Sequence, residues 1–280
     1  MKVSILGTGA MGSRMAQALL QGGHEVTVWN RTPDHAQALA EYGAHIAAHA
    51  CEAAAGADVV IAMVRDDQAS REVWIERGGL AALSPTAIGI ESSTVSIGWA
   101  CALAASFAQR EAAFLDAPVL GSRPQAEART LIHLVGGDEA VFHRATPVLA
   151  ALGSAAHHVG RAGSGAAVKL LANALFGIQV AAIAELLGAT TALGLAIDRV
   201  VEVLGTTPVL SAAAKGAAQG IAARTFAPAF PVELVEKDLR YLADAIPDAP
   251  VSAAARMVFQ RAAKQGHGAE NLTAVARLYG

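Results

Sequence analysis

Two regimes of hydrophobic patterning divide this chain of 280 residues. Up to about residue 160, short apolar runs alternate with segments whose apolar positions recur at helical spacing. The runs predict strands at residues 3–6, 25–29, 45–47, 59–64, 87–91, 113–116, 131–135 and 156–159. Helices are expected between them at 11–20, 34–42, 68–75, 97–110 and 139–150. The runs at 59–64 and 87–91 are almost wholly apolar, as strands covered on both faces should be. Such alternation predicts a mostly parallel sheet between two layers of helices. After the glycine-rich stretch 160–165, which reads as a flexible junction, only helical patterns remain. They fall at 166–193, 198–204, 209–220, 232–245, 252–264 and 271–279, with Asp198 as a candidate N-cap. The expected fold is therefore α/β. A doubly wound N-terminal domain, 1–162, leads through a long central helix into an all-helical C-terminal domain, 163–280.

Charge and composition narrow the function. A net charge of −3 without any Lys/Arg block gives a nucleic acid no electrostatic footprint. Cys51 and Cys101 lack any paired or metal-ligand spacing. They read as core or near-core thiols in a reducing cytoplasm. His157-His158 has no third ligand at metal spacing and reads as surface, and no metal is expected. The N-terminus enters a strand at once, so no signal peptide is expected. Between Leu170 and Ile197 the only charge is Glu185. Length and apolarity alone would suit a membrane span. Asn173, Gln179, Thr190 and Thr191, and the lack of basic or aromatic anchors, favour instead a central helix enclosed by protein. Enclosing it calls for a partner subunit, so a homodimer or homotetramer through the helical domain is expected, with no membrane.

Candidate chemistry begins at the N-terminus. Strand, Gly7-Thr8-Gly9-Ala10-Met11-Gly12, helix and second strand follow in the order of a dinucleotide-binding βαβ unit. Gly7 allows the turn, Gly9 lets a pyrophosphate approach the backbone, and Gly12 lets the helix lie close to the sheet. The second strand ends in Asn30-Arg31-Thr32, where an NAD enzyme usually carries Asp or Glu. A guanidinium there suits a 2′-phosphate, which favours NADP(H) over NAD(H). Thr32 also fits as a helix cap ahead of Pro33 and Asp34. Lys169 stands near the start of the apolar helix, where burial disfavours its charged form. Asn173 lies one turn further on the same face.

Further motifs extend this set. Ser93-Thr94 follows the strand ending at Glu91. Asp116-Ala117-Pro118-Val119-Leu120-Gly121-Ser122, Lys169-Leu170-Leu171-Ala172-Asn173 and Phe230-Pro231-Val232-Glu233-Leu234-Val235-Glu236-Lys237-Asp238 come in that order. Together with the glycine turn, their order and spacing resemble the β-hydroxyacid dehydrogenases over essentially the whole chain. The resemblance implies hydride transfer between a nicotinamide and a small carbonyl or hydroxy-acid substrate. It implies Lys169 as general acid/base and Asn173 as a substrate-holding group. It places the loop Leu120, Gly121 and Ser122 at the substrate carboxylate. Thr94 and Lys237 fall beside the cofactor, and Met63 and Val64 on its adenosine and ribose side. Leu120 replaces the family's usual serine and Ser122 its second glycine, which points to a more apolar substrate or to Arg123 as a substitute charge. Asp116 reads as a turn-pinning residue, His133 as packed in a strand, Asp66-Asp67 as a polar loop and Asp238 as a surface partner of Lys237. Two alternatives stay open: an imine reductase-like enzyme, against which the retained Lys169 argues, and a non-catalytic NADP-binding regulatory or scaffold protein.

Overall fold

The alternating half of the chain folds around one nine-stranded sheet. A computed structural model describes residues 1–280, which form two compact units, Met1–Lys169 and Leu170–Gly280. The strands are β1 (Lys2–Leu6), β2 (Glu25–Trp29), β3 (His45–Ile46), β4 (Val59–Ala62), β5 (Ile88–Glu91), β6 (Ala113–Asp116), β7 (Val119–Leu120), β8 (Leu131–Gly137) and β9 (Gly153–Gly160). The first six are parallel in the order β3-β2-β1-β4-β5-β6. β8 runs antiparallel to β6 and β7, and β9 runs parallel to β8. The chain reverses its winding between β1 and β4, so the carboxyl ends of those two strands mark the place where such sheets bind ligands.

The helices of this unit are α1 (Gly12–Gln21), α2 (Pro33–Gln37), α3 (Ala50–Ala54), α4 (Asp67–Arg71), α5 (Ile97–Ala108), α6 (Arg123–Glu127) and α7 (Glu139–Leu152). The period of two along the strands sorts the apolar side chains into two cores. Val59 and Ile61 of β4 join Met15 and Leu19 of α1 and Val148 of α7 on one face. Val60 and Ala62 join Leu103 and Phe107 of α5 and Trp74 on the other. The near-continuous apolar run at β4 thus reflects burial on both sides.

The second unit holds most of α8 (Ser164–Gly188), with α9 (Ile197–Gly205), α10 (Ala212–Ala222), α11 (Val232–Ala245) and α12 (Pro250–Ala262). At Gly177, α8 approaches α11 so closely that a Cβ would lie 3.0 Å from Val235 Cγ1. The chain ends in a 3-10 turn, Leu272–Leu278.

Several local expectations are corrected. The long helix stops at Gly188, short of 193, because Thr190 Oγ1 donates to the Leu187 carbonyl and closes the last turn locally. Within one chain half of its most apolar stretch is buried, while Leu171, Leu175 and Leu186 are each more than half exposed. Asp198 lies in the first turn of α9, after the N-cap Ala196. Both cysteines are exposed. Glu185 finds its partner within the chain, beside the Tyr279 hydroxyl, whose pKa is raised by burial and by that carboxylate. The junction at 160–165 is pinned, because Asp116 Oδ1 accepts from Gly163 N–H (2.8 Å) and Oδ2 from Ala166 N–H (2.8 Å). The carboxylate therefore satisfies backbone donors at the start of α8 and sits at the positive end of its dipole.

His133 in β8 is fully buried, and neither ring nitrogen closes a hydrogen bond. Burial pushes its pKa down to about 4, and the nearby Leu149 backbone opposes that shift without cancelling it. The unfolded ring takes up a proton below its ordinary value of 6.5 while the folded ring stays neutral. Stability is therefore lost as the pH falls from 6.5 towards 4, by about 3 kcal/mol at roughly 1.4 kcal/mol per unit. We expect His133→Leu to fold at neutral pH without loss of stability, since it removes two unpaired nitrogens. Thermal melts should show a smaller acid-induced fall in Tm for the variant than for the natural chain, and an unchanged fall would contradict this.

Candidate cofactor-binding and catalytic residues

At the carboxyl end of β1 the backbone turns through Gly7 at a φ of +103°, where a Cβ would lie 2.5 Å from the Met63 carbonyl oxygen. The turn therefore packs directly on the segment after β4. A Cβ on Gly12 would overlap the Gly7 carbonyl oxygen, so α1 starts as close to the turn as backbone allows. Gly9, between them, has nothing within 4 Å of its Cβ position and faces open space. Met11 is the N-cap of α1, which has no side-chain cap and no acidic residue in its first turn. Open backbone, unblocked N–H groups and the positive end of a ten-residue helix together fit a pyrophosphate. A cavity of about 550 Å³ opens beside this turn, lined in part by Thr8, Gly9, Ala10 and Ser13.

The end of β2 is tied to the same turn. Trp29 O accepts from Gly7 N–H (2.8 Å), and Asn30 Oδ1 accepts from Thr8 N–H (3.0 Å). Asn30 Nδ2 donates to Thr32 O at 2.9 Å. Thr32 is the N-cap residue of α2, with Pro33 behind it, but its side chain makes no capping bond. Arg31 is largely exposed, and its Nη1 lies 3.3 Å from Glu72 Oε2. Glu72 also accepts from Arg77 Nε (2.8 Å), and that hydrogen bond is the main cause of its lowered pKa. Arg31 is thus a solvent-facing guanidinium at the end of β2, where no carboxylate stands in sequence.

Met63 and Val64 leave β4 against the glycine turn, and Val64 N–H donates to Ser93 Oγ at 2.8 Å. Thr94 follows directly. Asp66 and Asp67 do more than line a loop. Asp66 caps α4 by accepting from Ala69 N–H (2.9 Å), while Asp67 accepts from Ser96 N–H (2.8 Å) and Oγ (2.6 Å).

Leu120 ends β7 and pairs with Ile132; Gly121 follows with a φ of +113°. Ser122 is engaged locally, as the N-cap of α6 in a reciprocal capping box with Gln125, whose Oε1 accepts from Ser122 N–H at 2.9 Å. The S-x-x-Q spacing of that box is visible in the sequence. Arg123 Nε is buried without an acceptor, an orphaned charged donor next to the loop. Lys169, near the start of α8, is 9 % exposed, as buried as an ammonium-bearing residue commonly gets.

In the second unit, Asn173 is 8 % exposed, and its Nδ2 donates to Asp238 Oδ2 at 2.6 Å. Asp238 is buried, and its Oδ1 lies 3.2 Å from Lys237 Nζ. The Lys237 ammonium also stands 5.1 Å from the centre of the Tyr241 ring. The expected surface pair is therefore a buried carboxylate gathering two of the singled-out residues. Adjacency in sequence suggested Lys237–Asp238; only the packing of α8 on α11 reveals Asn173 as the third member.

Both halves of the chain match families of known proteins. Residues 2–160 match the family described as the NAD binding domain of 6-phosphogluconate dehydrogenase. Residues 163–279 match that described as NAD-binding of NADP-dependent 3-hydroxyisobutyrate dehydrogenase. Glyoxylate/succinic semialdehyde reductase 1 of Arabidopsis thaliana is 33 % identical over 98 % of this chain and 97 % of its own length. The structure of Mycobacterium tuberculosis 3-hydroxyisobutyrate dehydrogenase with L-serine superposes with a TM-score of 0.91 at 31 % identity, covering 99 % of this chain and 98 % of that one. The human cytokine-like nuclear factor N-PAC is 30 % identical over 99 % of this chain, which spans 51 % of that protein.

Proposed function

The chain belongs to the β-hydroxyacid dehydrogenase family and is an NAD(P)-dependent oxidoreductase of that type, and from this premise we propose that it interconverts a small carbonyl compound and its alcohol with NADP(H), Lys169 serving as general acid/base. The observation that carries the proposal is the buried Lys169 with the buried Asn173 one turn away on α8. When bound, the cofactor supplies or accepts the hydride. The glycine turn, with Thr8 fixed by Asn30 and with Ala10 and Met11 at the start of α1, would hold its pyrophosphate through the backbone N–H groups left open there. Asn30, Arg31 and Thr32 would take the ribose phosphate end, and Met63, Val64 and Thr94 the remainder; Lys237 is assigned to the cofactor by the family resemblance alone. Lys169 Nζ gives a proton to the carbonyl oxygen in reduction and takes one from the hydroxyl in oxidation, and Asn173, oriented by Asp238, holds the substrate. With the hydride that a bound cofactor would supply to carbon, the proton from Lys169 would complete the two-electron reduction.

The relatives' printed substrates, glyoxylate and succinic semialdehyde, motivate carbonyl acids as test compounds. Leu120 and the locally engaged Ser122 remove hydrogen-bonding capacity from the loop, while Arg123 adds an unpaired donor. A panel of glyoxylate, succinic semialdehyde and uncharged apolar aldehydes, followed by NADPH oxidation, tests the assignment. Turnover of at least one compound supports it. Tight NADPH binding with no turnover of any carbonyl compound would favour the scaffold reading.

The cofactor preference has its own test. Arg31→Ala removes a charge-assisted contact to a 2′-phosphate, and we expect KM for NADPH to rise about tenfold, with KM for NADH unchanged. Equal changes for both cofactors would contradict the assignment. The exposed leucines of α8 offer an apolar face for a second subunit. Light scattering is expected to give a homodimer or homotetramer; a stable monomer would contradict that expectation.

A further inference from the structure

Below the loops that follow β4 and β5 lies a carboxyl group that the reaction does not use. Glu91, at the end of β5, is fully buried and faces no cation among its hydrogen-bonding partners. Its Oε2 accepts from the Ser70 hydroxyl and from Trp74 Nε1 (3.0 Å), and its Oε1 accepts from Ser93 N–H (2.9 Å). Ser70 is itself oriented, because its Oγ accepts from Trp99 Nε1 at 2.8 Å, which leaves its hydrogen for Glu91. Trp74 reaches inward from a π-helical turn, Glu72–Glu76. Such turns are rare and recur at functional sites. Every partner is a donor, so the group acts as a pure acceptor. Burial pushes its pKa up, against the hydrogen bonds that favour the charged form.

The network leads outward to the glycine turn. Ser93, fixed through its N–H by Glu91, accepts from Val64 N–H on Oγ. Val64 in turn packs on Gly7, where a Cβ would lie 2.8 Å from Val64 Cγ1. We propose that Glu91 is a positioning residue for the cofactor loops, holding Ser93 and, through it, the Val64 backbone against the glycine turn. This rests on the nicotinamide-binding reading above. A neutral amide cannot replace the carboxylate there, because an –NH₂ at either oxygen position faces at least one donor and leaves it without an acceptor.

The test is titration of the full-length chain with NADPH, followed by cofactor fluorescence, beside steady-state kinetics. For Glu91→Gln we expect the NADPH Kd to rise about tenfold, as when a buried donor loses its acceptor, with the carbonyl substrate's KM within about twofold of the natural value. Ser93→Ala, which removes the acceptor for Val64 and a hydroxyl beside the carboxyl while keeping the carboxylate and its backbone donor, should weaken NADPH in the same direction. The double variant should be no weaker than the worse single one, since both act through one chain of contacts. The inference is overturned if Glu91→Gln lowers Tm but leaves NADPH affinity intact, if Ser93→Ala binds like the natural chain, or if the two losses add. Should Glu91→Gln fail to fold, Ser93→Ala decides alone. If the natural chain binds neither NADPH nor NADH, the functional reading fails and takes this inference with it; if it binds and the variants bind equally well, only the role of Glu91 falls.

Discussion

Lys169→Ala is expected to lower kcat by roughly a thousandfold, the middle of the range for removing a positioned general acid/base, while leaving NADPH affinity within about twofold. The asymmetry follows from the residue's placement. Lys169 lies on α8, far in sequence from the glycine turn, Asn30 and Arg31, the backbone and side-chain groups assigned to the cofactor. Losing the amine removes the proton donor for the carbonyl oxygen but no phosphate contact. Steady-state kinetics with NADPH and the best aldehyde of the panel, together with cofactor titration, separate the two quantities. A Lys169→Ala chain with full kcat would remove the proposed chemistry, and a parallel loss of cofactor affinity would reassign the residue to binding.

Gly12→Ala is the second large effect. Its Cβ would overlap the Gly7 carbonyl oxygen, which is backbone and cannot rotate away. Either α1 moves off the turn or the turn opens. Overpacking of this kind costs about 3 kcal/mol, at the upper end of its usual range. A displacement on the order of 1 Å at the phosphate cradle costs roughly a hundredfold in turnover. Chemical denaturation should therefore show a lower midpoint, and NADPH titration a large loss of affinity. Gly9→Ala is the informative contrast, since nothing lies within 4 Å of its added carbon. It should fold like the natural chain while still hindering a phosphate. Equal stability and affinity for Gly12→Ala and the natural chain would contradict the close approach of helix and turn.

Much of this was legible in the residues themselves. The glycine turn could be read because its requirements are local: one left-handed turn, one open position and one close helix start, at Gly7, Gly9 and Gly12. The alternating half revealed its parallel sheet because the apolar runs of the central strands β4 and β5 are buried throughout, as the division of β4 between two cores shows. Residues whose role depends on packing were harder. Nothing next to Glu91 in sequence announces Ser70, Trp74 and Ser93 as its partners, since Trp74 arrives from a π turn that breaks the expected helix 68–75. Asp238 looked like half of a surface pair until Asn173 of α8 met it. The short helices α3 and α6 and the two-residue strand β7 escaped the pattern because they hold too few residues to establish a period. The capping box at Ser122 and Gln125 was the available signal for α6. Polarity misled at Cys51 and Cys101, where a thiol's usual preference for burial is overridden by positions on the outer sides of α3 and α5.

The most direct test of the proton-transfer role is a single-turnover measurement of NADPH oxidation by Lys169→Ala, preloaded with cofactor and saturated with aldehyde, in the presence of increasing concentrations of a small primary amine. The account predicts a nearly silent reaction without amine and a rate that climbs with the concentration of its ammonium form. A cofactor-loaded Lys169→Ala chain that reduces the aldehyde at the natural rate with no amine added would contradict it.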